Sequence, residues 1–131
     1  MKKSLFVAVL VIAVAFVITG CTKSGVPSGT YDAFAQCLTD SGARMYGASW
    51  CPHCKDQKDA FGDSFSKVTY IECATPGNPN VMTQECKDAG LEGYPTWEFG
   101  DGSRLSGFQE FQALADKSSC PLPSDFTATN N

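Results

Sequence analysis

Apolar and polar positions change rhythm along this chain, and each rhythm predicts an element. Leu5 to Ile18 is an almost unbroken apolar run behind Lys2 and Lys3. Tyr31, Phe34, Ala35 and Leu38 then fall on one face of a helix over 31–40, which Ser41-Gly42 ends. Residues 43–49 (ARMYGAS) predict a first strand, and 50–61 a helix with Lys55, Asp56, Lys58 and Asp59 on its outer face. Gly62 stops that helix. Residues 67–73 (KVTYIEC) alternate and predict a second strand. Pro76, Gly77, Asn78 and Pro79 make 74–80 a loop, and Asn80 is placed to cap a helix reaching Ala89, with Gly90 after it. A third strand over 95–99 turns at Gly100-Asp101-Gly102 into a fourth over 103–106. A last helix over 108–117 carries Phe108, Phe111, Leu114 and Ala115 on one face. The order is α-β-α-β-α-β-β-α. It implies an α/β domain with a four-stranded mixed sheet flanked by helices, parallel within the strand–helix–strand unit and antiparallel at the hairpin.

The chain has 131 residues, enough for one domain. Its formal charge is −4, and without Lys2 and Lys3 it has 8 basic against 14 acidic residues. No basic cluster interleaved with aromatics is present, so a nucleic-acid partner is not expected. Seven cysteines in so short a chain point to an oxidising compartment.

The apolar run ends in Ile18-Thr19-Gly20-Cys21. A small residue before a cysteine at that place resembles the bacterial lipobox. The resemblance implies a signal peptide over 1–20, lipid on Cys21 and a flexible tether over 21–30. An uncleaved membrane anchor is the alternative. Either leaves the domain in the cell envelope outside the cytoplasm, on the periplasmic side or at the cell surface. Residues 120–131 read as a polar tail.

The chemistry centres on Trp50-Cys51-Pro52-His53-Cys54. Both thiols stand at the start of a helix, where free N–H groups and the helix dipole favour a thiolate. Pro52 suits the first turn. A thiolate here is a nucleophile, and a second thiol one turn on can resolve the mixed disulfide. His53 reads as a group that favours the thiolate of Cys51, with a solvated surface histidine as the plain alternative. Such exchange needs no cofactor.

The element order, the CxxC at the first strand-to-helix junction and the Pro opening the third strand resemble the thioredoxin fold over residues 31–119. Met45-Tyr46-Gly47-Ala48, the CPHC motif, Gln57-Lys58, Phe61 and Tyr94-Pro95-Thr96-Trp97 resemble the thioredoxin-like domain fused to bacterial vitamin K epoxide reductase homologues. That resemblance implies disulfide exchange with protein thiols, Cys51 attacking and Cys54 resolving. It implies a cis Tyr94-Pro95 bond beside the pair, and Trp50, Tyr94 and Pro95 as the substrate-binding surround. It also implies a separate quinone-linked membrane reductase as electron partner. Met45 stands where cytosolic thioredoxins have a buried acid, and Pro-His is the dipeptide of the DsbA oxidants; both lean towards an oxidant or isomerase and away from a cytosolic-type reductase.

The remaining cysteines stay open by sequence. Cys73 and Cys86 sit where that family has a further pair, and a bridge between them would pin the 74–80 loop. Cys37 and Cys120 flank the domain and are candidates for a second bridge, though connectivity does not follow from sequence. Zinc on Cys51, Cys54, Cys73 and Cys86 is disfavoured by spacing. A copper-delivery or metal-binding module on the same fold is the rival function, and the single histidine, inside the motif, leaves it short of a third soft ligand.

Overall fold

The computed structural model describes residues 27–123 and Phe126. The signal segment 1–20, Cys21, residues 22–26 and most of the tail lie outside the described residues. No helix among the described residues is long and apolar enough to cross a membrane.

Helix α1 (Asp32–Asp40) buries Phe34, Ala35 and Leu38. Strand β1 (Arg44–Gly47) has one exposed residue followed by Met45, Tyr46 and Gly47, all buried. The alternation is lost because both faces of this central strand are covered. Helix α2 (Pro52–Phe61) ends at Gly62 (φ 57°). The chain then runs on as a 3-10 helix over Gly62–Lys67, so the second strand, β2 (Tyr70–Glu72), starts three residues later than the pattern implied. The 74–80 loop is in fact part of a hairpin, β3 (Ala74–Thr75) and β4 (Asn78–Met82), turning at Pro76-Gly77 with Gly77 at φ 78°. Pro79 is tolerated because a two-stranded ribbon leaves one edge unpaired. Since residues up to Met82 are in that ribbon, α3 is short (Gln84–Asp88), and Thr83 rather than Asn80 holds its cap position.

Strands β5 (Thr96–Glu98) and β6 (Arg104–Ser106) form the expected hairpin. Helix α4 (Phe111–Ser118) starts three residues later than the apolar stripe suggested, and Phe108 lies outside it, exposed. The cause is a buried amide from elsewhere in the chain. Gln57 Oε1 accepts the Gln109 N–H at 2.7 Å, and Gln57 Nε2 donates to the Gln109 carbonyl at 3.1 Å. With both main-chain groups of Gln109 held, the segment cannot enter the helix.

The sheet order is β2-β1-β5-β6, with β1 and β2 parallel and the other neighbours antiparallel. Met45 and its cross-strand partner Trp97 face the larger core, which holds Phe34, Leu38, Phe61, Phe111 and Leu114. Tyr46 points the other way, into a smaller cluster with Cys73 and Cys86. In the tail, the Phe126 ring lies 5.6 Å from that of Phe111, because an aromatic in a polar stretch still gains by burial.

Gln57 is fully buried and also accepts from the Trp97 indole at 3.3 Å. Gln57→Leu keeps the bulk and removes every partner. It is expected to cost about 2–4 kcal/mol, because the Gln109 and Trp97 donors lose their acceptor. Urea unfolding should show a lower midpoint at unchanged slope; an unmoved midpoint would show that the amide is dispensable.

Candidate active site

β1 ends at Gly47, and Ala48 and Ser49 lead the chain out of the sheet towards α2. Pro52 occupies the first helical turn, which leaves Cys51 at the cap position in an extended conformation (φ −79°, ψ 118°). The Cys54 backbone N–H donates to Cys51 Sγ at 3.2 Å. The sulfur therefore performs the task that serine or aspartate oxygen performs at most helix starts. Cys51 is 5% exposed and Cys54 1%. Burial, and then the hydrogen bond to Cys51, push the Cys54 thiol up to about 12. The pair is thus asymmetric, with one sulfur at the helix tip and the other protonated beneath it.

The other cysteines are bonded to each other. Cys37 joins Cys120 and Cys73 joins Cys86, with Cα–Cα distances of 5.8 and 5.7 Å. Cys51 and Cys54 are the free thiols among the described residues. A four-cysteine zinc set is therefore not assembled, since two of its members are spent on a disulfide.

The Tyr94-Pro95 bond is cis. Pro95 is buried, and its carbonyl accepts from the Gly107 N–H at 2.7 Å. Tyr94 carries the edge of this loop towards Trp50, with ring centroids 6.0 Å apart and nearly perpendicular. Trp50 is 57% exposed, and its indole N–H donates to the Pro79 carbonyl of β4 at 2.8 Å. One aromatic thus ties the CxxC loop to the Tyr94-Pro95 loop and the β3–β4 hairpin. A hollow of about 90 Å³ lies among Ala48, Trp50, Cys73, Pro79, Met82 and Tyr94. It is too small for a typical small-molecule ligand, whose pockets run to about 300 Å³ or more, and suits a single side chain.

His53 lies on the exposed first turn of α2. Its ring is exposed, and Nδ1 lies 3.7 Å from an Asp56 carboxylate oxygen. The first turn of the helix directs it outward, and the bond to Cys51 Sγ comes from the backbone instead.

Sequence reading overlooked two residues behind the thiols. Tyr70 donates its hydroxyl to Glu72 Oε2 at 2.9 Å, and the Lys58 ammonium sits 3.7 Å from the Tyr70 ring centroid. The alternation of β2 places Tyr70 and Glu72 on one face, which was the available signal.

A β1-α2-β2 unit, an antiparallel β5–β6 pair, a cis-Pro loop and a CxxC at the start of α2 make an α/β domain with a mixed four-stranded sheet and a free dithiol. The thiol-disulfide oxidoreductase LTO1 of Arabidopsis thaliana is 42% identical over 87 residues, which cover 64% of this chain and 23% of that protein. The matched segment is thus less than a quarter of that relative's length. The oxidized glutaredoxin 2 structure from Chlamydomonas reinhardtii aligns with a TM-score of 0.40 at 19% identity, over 69% of this chain and 94% of that one. No protein-family model matches the chain.

Proposed function

We propose that this protein is a thiol–disulfide oxidoreductase of the cell envelope that exchanges disulfides with protein substrates and acts as an oxidant. The observation that carries the reading is the asymmetric dithiol: Cys51 caps α2 with its sulfur, while Cys54 lies buried and protonated below. In the oxidising direction a substrate thiolate attacks Cys51 of the Cys51–Cys54 disulfide, and Cys54 leaves. A second substrate thiol then attacks the mixed disulfide, and Cys51 leaves as the thiolate. The partial match to a protein named as a thiol-disulfide oxidoreductase supports this class.

Pro52 sets the first turn of α2. Trp50 and Tyr94 form the surface that receives a substrate segment, with buried Pro95 setting the bend of that loop and the small hollow taking one of the substrate's side chains. His53 stands beside the dithiol on the exposed first turn, where it favours the Cys51 thiolate. The two internal disulfides support an oxidising compartment. In this reading lipid on Cys21 tethers the domain to the membrane, and a vitamin K epoxide reductase-like membrane protein removes its electrons to quinone.

Equilibration with glutathione, read by alkylation of Cys51 and Cys54, should give a reduction potential well above thioredoxin's roughly −270 mV. The oxidised protein should also form disulfides in reduced ribonuclease. A potential at or below thioredoxin's, with insulin reduction alone, would overturn the oxidant direction. Exchange with neither substrate would overturn the enzyme.

A further inference from the structure

Resolution in the reducing direction requires Cys54 to lose its proton, and Cys54 is the more deeply buried of the two sulfurs. No acid stands behind it on β1, where Met45 fills the core. Cys51, the Ala48 backbone and Lys58 act on it directly, and across the Gly47 gap the nearest side chain that leads to a carboxylate is Tyr70 of β2. A β-carbon on Gly47 would stand 3.1 Å from Cys54 Sγ, 3.1 Å from the Tyr70 hydroxyl oxygen and 2.9 Å from a Tyr70 ring carbon. Thiol and phenol therefore share the space that glycine leaves open, and lie no further apart than twice that first distance. A single water can bridge a gap of this size. Beyond the phenol, Glu72 Oε2 accepts the Tyr70 hydroxyl. Glu72 Oε1 accepts the Ser49 and Ala74 N–H groups at 3.0 and 2.8 Å, which fix the carboxylate at the solvent edge.

We propose that Tyr70 and Glu72 form the proton path of Cys54, with Glu72 as the acceptor. The inference rests on the exchange reading above. When Cys54 resolves a mixed disulfide, its proton passes to the Tyr70 oxygen as the Tyr70 proton passes to Glu72. Cys54 Sγ bonds to Cys51 Sγ, the bond from Cys51 to the substrate sulfur breaks, and that sulfur leaves with the electron pair as a thiolate. In the oxidising direction the flow reverses: Cys54 leaves as a thiolate and regains a proton that solvent supplies through Glu72 and Tyr70. The charged and titratable groups facing the path are Cys51 and Lys58 from α2, Glu72 from β2 and Tyr94 from the loop before β5. Burial, and then Glu72, hold the Tyr70 phenol far above its ordinary range, so it passes a proton on without standing as a free phenolate.

The test uses one equivalent of 5,5′-dithiobis(2-nitrobenzoate) on protein whose Cys51–Cys54 pair is reduced. Capture by Cys51 releases the first thionitrobenzoate and resolution by Cys54 the second, so one absorbance trace times both steps. Tyr70→Phe keeps the ring under Lys58, and Glu72→Gln keeps an oxygen for Ser49 and Ala74. In both variants resolution relative to capture is expected to fall about a hundredfold at neutral pH, the scale of a lost general base. The deficit should shrink as pH rises and hydroxide takes over the proton. Variants that keep the wild-type ratio of the two phases across pH overturn the proposal alone. A wild-type protein that captures the reagent and never releases the second thionitrobenzoate overturns the exchange reading as well.

Discussion

Cys51→Ser is expected to abolish exchange with both disulfide and dithiol substrates, whereas Cys54→Ser is expected to keep capture and accumulate covalently linked partners. The difference follows from where the two sulfurs sit. Cys51 caps α2 and meets the Cys54 N–H, so negative charge on its sulfur keeps a charge-assisted bond. Cys54 cannot take over that role. Its thiol is pushed up to about 12, first by burial, and serine at position 51 leaves the burial in place. At pH 9 most free cysteines, whose pKa is about 8.5, are thiolates, whereas burial keeps Cys54 mostly protonated. Insulin turbidity and non-reducing electrophoresis read the two outcomes. In the Cys51→Ser protein, iodoacetamide should leave Cys54 nearly unlabelled at pH 9; labelling with a midpoint near that of free cysteine would remove the asymmetry on which the enzyme reading stands.

Replacing Cys37 and Cys120 together with alanine is expected to cost about 4–5 kcal/mol, against about 3 kcal/mol for the Cys73 and Cys86 pair. The bridges close very different loops, with sequence separations of 83 and 13. Denatured-chain entropy rises with the logarithm of that length, so the longer loop stabilises more. A domain of this size has roughly 5–15 kcal/mol in total, so loss of the long bridge lowers the melting temperature by roughly 20 °C or more. Calorimetry on the two double variants decides the order. If removal of the short bridge proved the more damaging, native packing around Cys73 and Cys86, and not loop length, would control stability.

What the pattern of residues disclosed was local. The Phe34, Ala35 and Leu38 stripe, the alternation leading into Tyr70–Glu72 and the CxxC at a helix start each lie within a few positions, and the structure has those elements. What stayed hidden depended on distant partners. α4 starts late because Gln57 holds Gln109, 52 positions away. The β3–β4 hairpin lacks a run of β-branched residues, so only its Pro-Gly turn was legible. The contact of Tyr70 with the thiol region depends on Gly47, whose missing side chain reads in sequence as an ordinary strand glycine. His53 neighbours Cys51 in sequence, but the polar contact of its ring is with Asp56, a turn further along the helix.

The sulfur that reacts is also the atom that closes the end of α2. A disulfide sulfur is a poorer acceptor than a thiolate, so each captured substrate withdraws the support of the Cys54 amide. That amide belongs to the residue that must move next. In the proposed exchange, loading the site would thus weaken the cap of the helix that carries both sulfurs, so that capture at one bears on the hold over the other.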